Sequence, residues 1–407
     1  MRFSLDVIRA RKGDCLMLHY GSDADPRLMM IDGGPSRVYK PHLKGRIEAI
    51  REARNINEAK PLPVDVLMIS HVDDDHIKGI LDMTREYRSL AQESKPLPAK
   101  VRSLWHNSFD DMLDTTPEEL EVQANFGAAA VGGEVDVSNV ETMDVAMVLA
   151  SIRQGRDLRD AAELLSWKPN DKFGGKLIMA TDQSTPVDLD GGIKVTVVGP
   201  MKPELAALQK KHDAWLKEQK KKKEKDPEAM LAAFADDSIH NLSSIVVLAE
   251  ADGKSILLTG DARGDKILDG LELTQLMEPG GKLHVDILKG PHHGSDRNVD
   301  PSFFRRITAD HYVFSGDGEH GNPERETLKM LFRARPDADF VMHFTYPIEE
   351  IDAERQVDWE KHHDEPWSAE AHSLASFLED QNVAADRIKI VEAGKPHVID
   401  LLDEVPF

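Results

Sequence analysis

The chain has 407 residues, of which 40% are hydrophobic and 30% are charged, so it can bury the core of a large globular protein. Its formal net charge of −22 argues against a general nucleic-acid-coating protein, and its single cysteine, Cys15, excludes an internal disulfide and a cysteine-based metal cluster. The sequence shows no apolar signal-peptide core and no run near the roughly 18 apolar residues of a membrane span, so we expect a cytoplasmic protein without a membrane partner.

The first quarter of the chain alternates strand and helix patterns. Apolar or alternating runs predict strands at FSLDVI, CLMLHY, RLMMID, VDVLMIS and KVRSLWHNS. Helical spacing predicts helices near 43–55 and in IKGILDMTREYRSLAQES. At about 115–170 the composition changes, and the pattern predicts an α-rich insertion that closes at Lys168, Pro169 and Asn170.

The rest of the chain returns to strands around a second insertion. Strands are predicted at KLIMATD and IKVTVVGP, followed by a charged helical arm at about 203–238 whose KEQKKKKEK run favours a solvated helix face over a nucleic-acid contact. A hairpin turned at Asp252 and Gly253 follows, then strands at LHVDILKG, HYVFSGD and DADFVMHFT, with Pro323 predicted in the first turn of a helix. The tail contributes RIKIVEA and HVIDLL. This order predicts an α/β fold of two mixed sheets with helices outside.

Four separate segments share one arrangement, in which an apolar strand ends in a short loop rich in His, Asp or Asn. They are HVDDDH (71–76), HNLSS (240–244), TGDA (259–262) and PHHGS (291–295). Charge crowded at the end of a buried strand is opposed by repulsion and desolvation unless a cation lies among the side chains. Imidazoles with carboxylates fit zinc, manganese or iron, and a bridging carboxylate would hold two ions about 3.5–4 Å apart.

These motifs resemble the metallo-β-lactamase fold. HVDDDH is similar to the HxHxDH signature of that fold, with aspartate in place of its second histidine. Together with TGD, HHGS, the NLSS element, the GEHGNPERETL segment and the opening KGDCLML…MMIDGGP, it resembles the hydrolase domain of the ComEC/Rec2 DNA-uptake proteins and their soluble relatives. The resemblance implies a four-layer αβ/βα domain at about 1–345, interrupted by the two insertions, and a C-terminal extension at 346–407.

The resemblance implies two divalent metal ions, Mn or Zn. His71 and Asp73 would hold one ion, and Asp75 and His76 the other, with Asp75 also orienting the attacking water. Asp261 would bridge the two ions.

Other ligand positions are left with alternatives. His292 or His293 would complete the second site, and His292 is favoured because it comes first off the strand. His240 or Asn241 lies where the third histidine motif is expected. His320, in GEHGNP, is a candidate acid or phosphate contact.

The predicted function is metal-dependent hydrolysis of a phosphodiester, with DNA the first candidate substrate and possible protein partners in a bacterial multi-gene system, including anti-phage modules. One alternative is a hydrolase of a lactone, thioester or small nucleotide on the same scaffold. Another is a metal-stabilised, non-catalytic partner in a larger complex. Asp32 could support the metal loops from behind or be an ordinary turn residue. His106 could be a ligand, but a structural or cleft-wall role is favoured.

Overall fold

A computed structural model of the protein describes residues 1–108, 154–206, 243–336 and 339–406. Most of the predicted insertion (109–153) and of the charged arm (207–242) therefore lies outside the described residues. Within the described ranges no helix is both long enough and apolar enough to cross a membrane.

Two mixed β-sheets form the centre of the molecule. Among the described residues, the first sheet contains β1 (Arg2–Val7), β2 (Leu16–Gly21), β3 (Pro26–Ile31), β4 (Leu62–Met68), β5 (Ala99–Trp105), β6 (Lys168–Pro169) and β15 (Val398–Asp400), in the order β15-β1-β2-β3-β4-β5-β6. The second contains β7 (Val187–Leu189), β8 (Ile193–Gly199), β9 (Val246–Ala251), β10 (Lys254–Leu258), β11 (Leu283–Lys289), β12 (Ile307–Phe314), β13 (Val341–Phe344) and β14 (Ile388–Ile390), in the order β14-β13-β12-β11-β10-β9-β8-β7.

Helices cover the outer faces of both sheets. They include α1 (Lys44–Ala53), α2 (Asp74–Gln92), α3 (154–164), α4 (Gly264–Leu273), α5 (Pro301–Arg306), α6 (Arg325–Ala334), α7 (Ile348–His362), α8 (Ala369–His372) and α9 (Leu374–Asp380). The helices α1 to α3 pack on the first sheet, and α4 to α7 with α9 pack on the second.

The alternation of side chains along each strand builds this layering. In β4, Val66 and Met68 belong to the core between the two sheets, whereas Leu67 belongs to the core under α1 and α2. In β11, Ile287 faces the first sheet and Leu288 packs beneath the helices of the second. Each sheet is therefore buried on both faces, by the other sheet on one side and by helices on the other. The predicted four-layer α/β arrangement is confirmed.

Each sheet is parallel in one half and antiparallel in the other. The strands β3 to β6 are parallel to one another in the first sheet, as are β10 to β14 in the second. Each group begins beside an antiparallel neighbour, β2 next to β3 and β9 next to β10. The loops after β4, β10 and β11 lie at a common edge, where Ile245 N donates a 2.7 Å hydrogen bond to Ser70 O across the two sheets. This edge carries the histidine and aspartate motifs.

Several sequence predictions differ from the structure. Residues 176–182 form no strand, and only an isolated bridge joins Ala180 to Met201, because Asn107 rather than a neighbouring strand pairs with the backbone of Ile178. Pro323 lies two residues before α6, which begins at Arg325 with Glu324 as its N-cap, so it is not in the first turn. The hairpin turn at Asp252 and Gly253 is present, with φ of 48° and 78°.

The segment after residue 345 completes both sheets. The strand β14 extends the second sheet beside β13, and β15 extends the first beside β1, with Leu5 opposite Ile399. The domain boundary near 345 stays a prediction. Strands from before and after that position pair with each other in both sheets.

Candidate metal centre

The HVDDDH segment connects β4 to α2 and places four of its side chains together. His71 Nε2 lies 3.5 Å from Asp73 Oδ2, just before the helix. Asp75 and His76 lie in the first helical turn, with His76 Nε2 3.8 Å from Asp75 Oδ1. The turn from strand to helix therefore presents two neighbouring His–Asp pairs.

The middle aspartate of the three has a different role. Asp74 forms an ion pair with Lys78 one helical turn later and accepts a hydrogen bond from Gln154 Nε2 at the start of α3. Asp74 thus fastens α3 to the beginning of α2.

Asp261, which follows β10, lies at the centre of four imidazoles. Its Oδ1 lies 3.3 Å from His76 Nε2 and 3.5 Å from His293 Nε2. Its Oδ2 lies 3.7 Å from His71 Nε2 and 3.5 Å from His292 Nε2. The backbone N–H of Asp261 donates to Ser244 Oγ at 3.2 Å. Each oxygen of one carboxylate therefore faces its own pair of histidines.

The placement of His292 and His293 differs from the sequence prediction. His293, not His292, joins Asp75 and His76, with its Nε2 3.4 Å from Asp75 Oδ2. The ligand atoms of Asp75, His76, Asp261 and His293 all lie within 4.8 Å of one another. Both histidines have positive φ, 45° and 55°, so the chain turns sharply after β11 and adjacent side chains reach opposite sides of Asp261. Order along the strand could not predict which side each would take.

Four of the described atoms that converge on this point lack a hydrogen-bond partner. Within the described ranges, Nε2 of His71, His76 and His293 and Oδ1 of Asp261 are buried without a hydrogen-bond partner. Buried polar atoms are normally paired, and four unpaired ones facing each other are what a divalent cation would satisfy. The donor set of imidazole and carboxylate therefore fits a metal.

The opposite nitrogen of each imidazole is held from behind. His76 Nδ1 donates to Asp32 Oδ2 at 2.8 Å, and Ser70 also donates to Asp32 through its Oγ at 2.6 Å and its backbone N at 2.7 Å. His71 Nδ1 lies 3.3 Å from Ser70 Oγ. Such partners fix the ring orientation and the tautomer, which leaves Nε2 free to ligate.

The two histidines of the PHHGS loop are held in the same way. His292 Nδ1 lies 2.8 Å from Asn298 Oδ1. His293 Nδ1 lies 3.0 Å from Ser315 Oγ, and Ser315 donates to Asp14. The loop thus has a hydrogen-bond partner for each imidazole.

A buried lysine lies behind the cluster. Lys289 Nζ is 2.6 Å from Asp14 Oδ2, donates to Gly260 O at 3.2 Å and lies 4.0 Å from Asp261 Oδ1. Burial raises the pKa of Asp14, but Lys289 and His293 outweigh that effect and hold it well below its usual range. Burial also raises the pKa of Asp261, but His293 and His76 outweigh that effect and hold it well below its usual range. Both carboxylates are therefore ionised.

The remaining predicted residues lie elsewhere or are not described. His240 and Asn241 lie outside the described residues. His320 lies in the loop after β12, with 57% of its side chain exposed, and its Nε2 is 3.0 Å from Lys12 Nζ. His106 is buried, and its backbone N and O both pair with the side-chain amide of Asn170.

The structure adds residues that sequence reasoning missed. Asp14, Ser70, Lys289, Asn298 and Ser315 hold the cluster from behind. One signal was available for Lys289, because a lysine in the apolar strand LHVDILKG is costly to bury without a partner.

Comparison with known proteins leaves the family unassigned. No family model matches the chain. It is 33% identical over 94 residues to human microtubule-associated protein 1A and 33% identical over 99 residues to the rat protein, which is 23% of this chain in each case. The chain matches about 3% of the length of these curated relatives.

A solved structure from Parabacteroides distasonis, provisionally described as a metal-dependent hydrolase, covers 83% of this chain and 97% of its own. The identity is 8% and the TM-score is 0.31, which carries no functional argument. The case for function therefore depends on the site itself.

Proposed function

We propose that the protein is a metal-dependent hydrolase that cleaves a phosphodiester at a site for two divalent cations. The observation that supports it is Asp261, whose two oxygens each face a separate pair of imidazole Nε2 atoms. A carboxylate in that position is suited to bridge two ions.

The residues divide into two ligand sets around Asp261. His71, Asp73 and His292 would hold one ion. Asp75, His76 and His293 would hold the other ion. These three residues and Asp261 are the ones whose ligand atoms all lie within 4.8 Å of one another. Each set offers two imidazoles and one further carboxylate, which suits zinc or manganese.

Charge balance agrees with two ions. Five aspartates, at positions 14, 32, 73, 75 and 261, belong to the cluster and its support, and Lys289 opposes one of them. Two divalent cations would neutralise the other four. When bound, they would lower the pKa of water and offset negative charge that develops on substrate oxygens.

The chain's own residues would orient the attacking water and receive its proton. Asp75 is 22% exposed, whereas His76 and Asp261 are at most 2% exposed, so Asp75 is the cluster carboxylate that both touches His293 and reaches solvent. We assign it the orientation of the attacking water and the acceptance of its proton. The hydrogen bonds to His71, His76, His292 and His293 keep the four rings in place during that step.

The substrate class is supported by the resemblance of the motifs to ComEC/Rec2-type hydrolase domains and by two hard cations, which suit phosphoryl oxygens. DNA is the first polymer to test, and protein partners in a bacterial multi-gene system remain a further proposal. Hydrolysis of bis(p-nitrophenyl) phosphate, a dinucleotide, single-stranded DNA and a lactone should be compared with Mn²⁺ and Zn²⁺. We expect phosphodiester cleavage that disappears in Asp261→Asn and persists in the exposed control Lys60→Ala.

Cleavage of the lactone alone would overturn the phosphodiester assignment while keeping the hydrolase. No cleavage of any substrate by metal-loaded protein would contradict the enzymatic proposal.

A further inference from the structure

Two loops beside the metal cluster contact each other at two points. The first is 8–15, between β1 and β2, and the second is 315–324, between β12 and α6. They meet at their base, where Ser315 donates to Asp14. Asp14 N also donates to Asp75 O at 3.3 Å, so the first loop is attached to a proposed metal ligand.

The same two loops meet again at the solvent-exposed top. Lys12 Nζ lies 2.8 Å from Glu319 Oε1 and 3.0 Å from His320 Nε2, and Arg11 Nη2 lies 3.2 Å from Glu319 Oε2. The side chains of Arg11, Lys12, Glu319 and His320 are 43%, 26%, 35% and 57% exposed. Two cationic side chains, Arg11 and Lys12, therefore bind one carboxylate, and Lys12 also donates to the imidazole of His320.

An ordinary surface ion pair does not explain this arrangement. Exposed pairs are worth little, about 0–1 kcal/mol. Yet Arg11 and His320 both have positive φ, 54° and 61°, which costs a residue with a side chain on the order of 1–3 kcal/mol and is typical of functional sites. The cations also gather beside the cluster in a chain whose net charge is −22.

We propose that Arg11, Lys12 and His320 form a subsite for a phosphate group of the substrate that neighbours the bond to be cleaved. This inference rests on the proposed phosphodiester substrate and deepens it. Glu319 occupies the subsite in the absence of substrate, and an incoming phosphate takes its place between the ammonium and the guanidinium.

His320 is suited to contact rather than to acid catalysis. Burial and the adjacent Lys12 lower its pKa, so the imidazole is neutral at neutral pH. Of the two roles that the sequence predicts for His320, acid or phosphate contact, a neutral imidazole favours phosphate contact. Arg11 is further anchored because its backbone N donates to Tyr346 Oη at 2.8 Å.

The test compares a thymidine dinucleotide with and without a 5′-phosphate, pTpT and TpT. Binding to the full chain as purified, without a chelator, is measured by isothermal titration calorimetry at low salt. The bridging phosphate of both dinucleotides is replaced by a methylphosphonate, so that no turnover occurs and the difference between the ligands reports the additional phosphate. Wild type, Lys12→Ala, Arg11→Ala, Glu319→Gln and the control Lys60→Ala are compared.

We expect wild type and Lys60→Ala to bind pTpT more tightly than TpT. Lys12→Ala and Arg11→Ala should lose about 3- to 10-fold of that preference, and Glu319→Gln should increase it about 3-fold, because it removes the competing charge. Opposite signs for Lys12→Ala and Glu319→Gln distinguish a binding role from a structural one, since a disturbed loop would weaken binding in both.

Equal preference in Lys12→Ala, Glu319→Gln and wild type would overturn the subsite. That result is separable from failure of the proposed function, which appears as absent metal uptake or absent hydrolysis in wild-type protein, whereas the binding series needs neither.

Discussion

The ammonium of Lys289 lies 2.6 Å from Asp14 Oδ2, and both side chains are at most 2% exposed. Asp14 also lies 3.3 Å from His293 Nδ1, so this ion pair is one step behind a proposed metal ligand. Removing one partner of a buried ion pair destabilises a protein, because the remaining charge is then buried without a counter-ion or solvent.

Replacing Lys289 should therefore destabilise the protein strongly. We expect Lys289→Met to lower the free energy of unfolding by about 3–5 kcal/mol, because it leaves Asp14 buried without its cation. The double variant Asp14→Asn/Lys289→Met should be more stable than Lys289→Met alone. Urea denaturation of the metal-free proteins measures both, and a double variant less stable than Lys289→Met would contradict this account.

Asp32 offers a test of the support behind the cluster. It accepts a 2.8 Å hydrogen bond from His76 Nδ1 and has a φ of 56°, which asparagine tolerates well. Asp32→Asn should keep the backbone and lower metal affinity about 10- to 100-fold, since loss of such a partner weakens the orientation and basicity of the ring. Competition with a fluorescent chelator measures the affinity. Unchanged affinity would mean that Asp32 is an ordinary turn residue.

Two adjacent aspartates form a matched pair for the ligand assignment. Asp75 lies 3.4 Å from His293 Nε2, whereas Asp74 contacts Lys78 and Gln154. Asp75→Asn should lose most of one metal ion per chain, and Asp74→Asn should keep both. Elemental analysis of the two variants measures the outcome, and equal losses would refute the division of roles.

Glu324 predicts a pH dependence of stability. Burial and the neighbouring Asp296 raise its pKa from 4.5 to about 7, so the folded protein holds this proton more tightly than the unfolded chain. The stabilisation is complete below about pH 4.5 and is lost as the pH rises towards 7. Glu324→Gln cannot ionise, so its stability relative to wild type should increase by about 1 kcal/mol from pH 5 to pH 8. This free energy is reduced from the full effect of the pKa shift because the side chain is partly exposed.

Urea denaturation at the two pH values measures that change. A constant difference between Glu324→Gln and wild type across the range would show that the carboxyl titrates normally.

Strand and loop patterns predicted much of this architecture, because alternation along β4 and β11 specifies which face of each strand is buried. Motifs at strand ends likewise indicated Asp261 and the HVDDDH segment. What they could not specify was side-chain direction in tight turns. The choice between His292 and His293 depends on two consecutive positive φ angles, which leave no mark on residue type.

Contacts between distant segments could not be predicted from the sequence either. Asp14 and Lys289 are 275 positions apart, and Asp32 and His76 are 44 apart, so only the assembled sheets bring each pair together. The strand predicted at 176–182 failed for a related reason, since Asn107 satisfies that backbone from a distant loop.

The most direct test of the account is the number of metal ions per chain, measured by elemental analysis of wild type beside Asp261→Asn. Asp261 is the residue whose two oxygens face both histidine pairs, so we predict close to two ions of manganese or zinc in wild type and a sharp loss in the variant. A wild-type protein that holds no metal, and takes up neither Mn²⁺ nor Zn²⁺ when they are supplied, would contradict the proposed centre.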